Sequence, residues 1–164
     1  MKINLLQGIN EMHKACSATI GKEGKPSLLA MLHSEHSPIR SLLFEIEVNI
    51  PTFISVHLVR HSSTGQLHYV QSMRDDRGGT GTEDRNTLVQ HRMILNAQHI
   101  IDMSRKRLCN KSHNSTIKVW QNILKEIFKI MPEMKEVCKP QCEYRGNTCF
   151  ELSSCGLHKH YTGK

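Results

Sequence analysis

Between Leu42 and Val48 apolar and acidic positions alternate, with Phe44, Ile46 and Val48 on one side and Glu45 and Glu47 on the other, which predicts a strand with one buried face. Upstream, Asn10 to Ala18 predicts a short helix in a polar stretch punctuated by Gly8, Gly21 and Gly24. Ser27 is placed to cap a helix through Leu28, Leu29, Met31 and Leu32. That helix must stop before Pro38, because the residue ahead of a proline is pushed out of the α region. Phe53 to Val59 fits two periods at once: Ile54, Val56 and Leu58 alternate, whereas Phe53, Val56 and Arg60 share a helical stripe.

Asp75 to Arg85 mixes charges of both signs with Gly78, Gly79, Thr80, Gly81 and Thr82, which predicts a mobile loop. From Asn86 onward the spacing of Ile94, Ala97, Ile101 and Leu108 predicts a helix. In a second helix Val119, Ile123, Ile127 and Ile130 form one stripe and Trp120, Leu124, Phe128 and Met131 its neighbour, closed by Pro132. From Val137 the chain is rich in Cys and Gly and has no period. Residues 1–136 are therefore expected to form one domain, with 137–164 as its Cys-rich tail.

Composition narrows the class. With 38% apolar residues over 164 positions the chain can build one hydrophobic core, and no run approaches the roughly 20 apolar residues that span a bilayer. Disordered, collagen-like and membrane classes are excluded, and the interrupted opening from Met1 to Cys16 leads us to expect a cytoplasmic protein. Its six cysteines are then reduced thiols or metal ligands rather than disulfides. The 22 Lys and Arg against 15 Asp and Glu give a formal charge of +7, which attracts phosphate on nucleotides, cofactors or nucleic acid.

Three constellations could carry chemistry. Arg60-His61 and Gln71-Ser72-Met73-Arg74 combine guanidinium forks with a hydroxyl, a set suited to a nucleoside monophosphate, or else to ordinary surface ion pairs. Around Asn96-Ala97-Gln98, Asn96, Asp102 and Arg105 could line a site with Gln98 at a helix edge, and Arg105-Lys106-Arg107 reads equally as a solvated last turn favouring the helix dipole. Cys138-x3-Cys142-x6-Cys149-x5-Cys155 could close a tetrahedral zinc shell, or could be free, redox-sensitive thiols, since tight CxxC pairs are missing. His57, His68, His91, His99 and His113 read as scattered or internally satisfied, because no HExxH motif is present. Nor is there a GxGxxG, a Walker-type loop or a GxSxG elbow.

The order of the pieces carries more than any one of them. Lys14-Ala15-Cys16, His36-Ser37-Pro38, Phe44-Glu45-Ile46, Arg60-His61, Gln71-Ser72-Met73-Arg74, Asn96-Ala97-Gln98 and Arg107-Leu108-Cys109-Asn110 follow one another as in the flavin-dependent thymidylate synthases, which the chain resembles from about residue 12 to 156. Pro140-Gln141-Cys142 and Gly146-Asn147-Thr148-Cys149-Phe150-Glu151 resemble the endings of some members.

The resemblance implies an α/β fold with an antiparallel sheet packed by helices, and a homotetramer with active sites between subunits. It implies FAD, dUMP, methylenetetrahydrofolate and NADPH, with flavin carrying hydride and the folate supplying a one-carbon unit to C5 of the uracil. By position, Arg60 and His61 would lie near flavin, as would Asn96 and Gln98, while Gln71, Ser72 and Arg74 would hold dUMP. Arg107 would approach the nucleotide and stabilise charge on the ring, the catalytic role. Ser62 stands where the family's RHR has its second arginine, Gln98 where NAR has arginine and Asp75 where tyrosine follows SxR. The helical segment between SxR and NAR is reduced to the glycine loop. Two other readings follow from these departures. One is a relative that modifies another pyrimidine, by hydroxymethylation or on a polynucleotide. The other is a non-catalytic nucleotide- or nucleic-acid-binding homologue.

Overall fold

The computed structural model describes residues 1–61, 65–79, 81 and 84–163; Ser62, Thr80 and Thr82 lie outside them. The chain divides into two units, residues 1–99 and 100–164.

The first unit is built on a four-stranded antiparallel sheet in the order β1 (Lys2–Gln7), β2 (Leu43–Pro51), β4 (Leu88–Asn96), β3 (Leu67–Val70). The alternation between residues 42 and 48 does form a strand. The register pairs Phe44 with Leu95, Ile46 with Met93, Val48 with His91 and Ile50 with Val89. These eight side chains are all buried, so one face of the two central strands is a continuous inner surface. Opposite it, Glu45 accepts from Arg92 at 2.6 and 2.8 Å and from Asn4 at 2.9 Å. Those bonds, Asn4's first, hold the Glu45 carboxyl below its ordinary range.

The helix expected from Asn86 begins later. Residues 88–96 are a strand, and the helical spacing belongs only to α4 (Ala97–Arg107), with Leu108 just beyond it. Asn96 makes the junction: its Oδ1 accepts from the His99 backbone N–H at 2.9 Å, an asparagine cap at the strand's last position. The double-period segment is the helix α3 (Thr52–Val59), which packs against β2 and β4 and buries Ile54, Ser55 and Leu58. Helix α1 (Ile9–Ile20) buries Met12 and Cys16 and packs on the 3-10 turn Ser37–Ser41. Ser27 caps α2 (Leu28–Ser34) by accepting from the Ala30 N–H.

In the second unit α5 (Asn114–Ile130) buries Thr116, Trp120, Ile123, Leu124 and Ile127, a narrower face than its double stripe predicts, because Ile130 is exposed. His113 caps it, its Nδ1 accepting from the Ser115 N–H. The Trp120 indole N–H donates to Ser104 Oγ at 3.0 Å, and that hydroxyl donates to the Ile100 carbonyl at 2.7 Å. The stretch after Val137 is more structured than its lack of period suggests. Following α6 (Met134–Val137) come α7 (Gln141–Tyr144) and a parallel pair of two-residue strands, β5 (Thr148–Cys149) and β6 (Lys159–His160).

Candidate functional site

The sheet carries the first group of sequence-derived residues. Gln71 prolongs the β3–β4 ladder: its N–H donates to the Gln90 carbonyl at 2.9 Å and its Oε1 accepts from the Gln90 N–H at 3.1 Å. Ser72 follows, and its Oγ accepts from the Arg74 N–H at 3.3 Å, a local turn that sets the direction of the arginine. The Arg74 guanidinium grips Asp76 through two bonds, Nε to Oδ1 at 2.8 Å and Nη2 to Oδ2 at 2.7 Å, with both side chains well exposed.

The glycine segment is not an open loop where it is described. Asp75–Arg77 is a 3-10 turn, and the Gly79 and Gly81 N–H groups donate to the Arg74 and Met73 carbonyls at 2.8 and 3.0 Å. A β-carbon on Gly79 would run into the Met73 backbone, and one on Gly81 into the Asp75 carboxylate. Gly79 and Gly81 are therefore required by the packing of the segment that carries Ser72 and Arg74.

Arg60, exposed at the end of α3, stands on the rim of a shallow, mainly apolar cavity of about 420 Å³ whose lining includes Val56, Val59 and Val70. His61 follows it, half-buried. Asn96 and Gln98 are turned to the protein instead: Asn96 caps α4, and the Gln98 amide donates to Glu35 Oε2 at 2.6 Å. Asp102 and Arg105, grouped with them from sequence, pair with each other at 2.9 Å in the second unit. Of the basic run at the end of α4, Arg105 also lies over the Tyr144 ring at 3.8 Å and Lys106 pairs with Glu151 at 2.7 Å. Arg107 ends the helix half-buried.

Several histidines prove internally engaged. His68 and His91 are diagonal neighbours on the inner face of β3 and β4, Nδ1 to Nε2 at 3.0 Å. Burial pushes His91 down to about 4, helped by the charge His68 would carry, and burial also lowers His68. His91 is thus a neutral core residue at neutral pH. The alternation of Val89, His91, Met93 and Leu95 could have revealed β4, had the histidine been counted with the apolar set.

The cysteines separate into two environments. Cys138 is buried and hydrogen-bonded with Ser104, and burial pushes its thiol up to about 12. Cys142, Cys149 and Cys155 instead line a cavity of about 310 Å³ in the second unit, together with Cys109 and His158, which the spacing argument does not include. Among the described residues no three His, Cys, Asp or Glu side chains are arranged to hold a metal ion as they stand. No described helix is long and apolar enough to cross a membrane.

No family model matches the chain. No curated protein matches it in sequence. Solved structures do share its architecture. A UMP/dUMP methylase, PolB from Streptomyces cacaoi, bound with 5-Br dUMP, superposes with a TM-score of 0.61 at 14% identity over 83% of this chain and 93% of that one. The same methylase bound with 5-Br UMP gives a TM-score of 0.55 at 12% identity, over 83% and 92%. At these identities the likeness is one of fold: this chain has the mixed α/β architecture of that methylase, an antiparallel sheet packed by helices.

Proposed function

We propose that the protein binds a pyrimidine nucleoside 5′-monophosphate and methylates C5 of its ring, in the manner of the flavin-dependent thymidylate synthases. The observation that carries this reading is the coincidence of two independent likenesses. The fold is that of a methylase whose structures hold brominated UMP and dUMP, and the ordered motifs resemble a family that acts on dUMP.

In this reading Gln71 anchors the end of the ladder, while Ser72 and Arg74 take the phosphate. A guanidinium presents two parallel N–H groups to an oxyanion, and Asp76 already occupies that fork as a phosphate would. Binding then requires the carboxylate to give way. Arg107 is the catalytic residue, stabilising the negative charge that develops on the pyrimidine carbonyl as C5 becomes the nucleophile towards the one-carbon donor. In the homotetramer that the resemblance implies, different copies can supply these groups.

The Arg60 end fits a flavin: an apolar shelf with a guanidinium on its rim suits a flat ring system that carries pyrophosphate. Asn96 and Gln98 fit only through atoms not already bonded to His99 and Glu35. When bound, FAD would supply hydride transfer, with NADPH as reductant and methylenetetrahydrofolate as one-carbon donor. The chain's own contribution is position and electrostatics.

A second reading concerns the sugar. The neighbouring methylase is described as acting on both UMP and dUMP, so UMP is the alternative substrate. The charge of +7 also leaves a polynucleotide open, which a steep salt dependence of binding would reveal. Calorimetric titration with dUMP, UMP and AMP, alongside the absorption spectrum of the protein as isolated, tests the reading. Binding of the pyrimidine nucleotides is expected, and a flavin spectrum that stays with the protein after free FAD is removed. Equal indifference to all three nucleotides would overturn it.

A further inference from the structure

Cys109, Cys142, Cys149, Cys155 and His158 share one cavity of about 310 Å³ inside the second unit. They come from three separate stretches: the turn after α4, helix α7 and the segment from β5 to β6. The His158 Nε2 is buried and finds no hydrogen-bond partner, which is costly for an imidazole unless something absent from the protein chain satisfies it.

A separate observation concerns what holds this part of the chain together. Beyond Cys138 the one buried hydrophobic side chain among the described residues is Cys149. The larger apolar groups face water: Tyr144 is 51% exposed, Phe150 44%, Leu157 58% and Leu152 fully so. Yet the backbone follows a defined path. Gly146 and Asn147, at φ 67° and 60°, reverse it between Cys142 and Cys149, and Gly156 at φ 82° turns it between Cys155 and His158. A segment of this size with almost no apolar core needs another cross-link, and metal or disulfide is the usual one.

We infer that Cys109, Cys142, Cys149 and Cys155 form a tetrathiolate site for zinc or a chemically similar borderline divalent cation, with the His158 ring N–H donating to one of the sulfurs. Cys138 has no part in it, being tied to Ser104 in the core. Four thiols give their protons to solvent as the cation binds, so the site gains a net charge of −2, partly offset by Lys111 at the cavity wall. No three of these groups are arranged to hold a cation as they stand among the described residues, so binding requires the cavity lining to rearrange. The site joins the turn after α4 to the tail, and so fixes the end of the helix that carries Arg107. The inference stands apart from the nucleotide reading, since it rests on other residues.

The test is elemental analysis of the full-length chain, purified untagged under reducing conditions without chelator. About one zinc per chain is expected in the wild type and in Cys138→Ser, with at least a tenfold loss in Cys109→Ser and Cys155→Ser. Because a serine variant can also lose the metal by unfolding, cobalt(II) is added to the reduced, metal-stripped wild type. Intense thiolate-to-cobalt charge-transfer absorption together with tetrahedral d–d bands, both abolished by zinc, is expected. Zinc should also protect four of the six thiols from alkylation. Metal-free wild type with no cobalt–thiolate bands would overturn the inference, as would metal kept in Cys109→Ser but lost in Cys138→Ser.

Discussion

Freeing Arg74 from Asp76 should make the protein bind a nucleoside monophosphate more tightly. The two groups form a bidentate pair at 2.8 and 2.7 Å, with side chains 68% and 57% exposed, and a phosphate must displace the carboxylate to use the same fork. An ion pair this open to water contributes at most about 1 kcal/mol. Asp76→Asn keeps the shape and removes the charge, so the expected gain in affinity for dUMP or UMP is at most about fivefold, at 1.4 kcal/mol per decade. Arg74→Ala acts in the other direction. Losing charged hydrogen bonds to phosphate costs about 1.5–3 kcal/mol, a weakening of roughly 10- to 150-fold. Isothermal titration at low salt measures both, with uridine as the control: lacking phosphate, it should respond to neither substitution. Unchanged dUMP and UMP affinity in Arg74→Ala, with thermal melting showing the variant folded, would refute the assignment of Arg74 to phosphate.

Three further outcomes follow from the packing. His91 is held neutral with a value near 4, against 6.5 when unfolded, so the unfolded chain binds the extra proton between those limits. Stability to urea should therefore fall as pH drops from about 6.5 towards 4, and His91→Leu should flatten that slope. Ser104→Ala leaves the Trp120 indole N–H without its partner and should destabilise by about 1–3 kcal/mol in denaturant titration, with a smaller penalty in a Trp120→Phe background. Gly79→Ala drives a methyl group into the Met73 backbone, and should weaken dUMP and UMP binding through displacement of the Ser72–Arg74 turn.

What the sequence discloses depends on how fully each element is organised by a single burial pattern. β2 was legible because Phe44, Ile46 and Val48 are buried while Glu45 and Glu47 pair outward with Arg92. β4 has the same period but places His91 on the inner face, so hydropathy breaks its alternation, and Ile94 with Ala97 and Ile101 then mimics a helix that starts only at Ala97. β1 gives little signal because it is an edge strand with no buried residue, and Leu5 and Leu6 are both exposed. α3 is ambiguous in principle, since an apolar run of that length satisfies either period.

The candidate residues divide in the same way. Ser72 and Arg74 are adjacent in sequence and remain adjacent in the fold, so local reading suffices. Asn96 reads from the sequence as a ligand contact, and in the fold its Oδ1 caps a helix, a role any asparagine at a strand-to-helix junction can take. Cys109 is 33 residues from Cys142, so only folding brings it to the cavity, whereas Cys138, close to the others in sequence, is withdrawn into the core.

Release of tritium from dUMP labelled at C5 is the most direct test of the central claim, because forming a carbon–carbon bond at that position expels the hydrogen it carries. With FAD, methylenetetrahydrofolate and NADPH supplied, tritium is expected to appear in water in proportion to the protein, and the release should be abolished in Arg107→Ala. Absence of release from labelled dUMP and labelled UMP alike, under conditions where calorimetry shows the nucleotides bound, would contradict it.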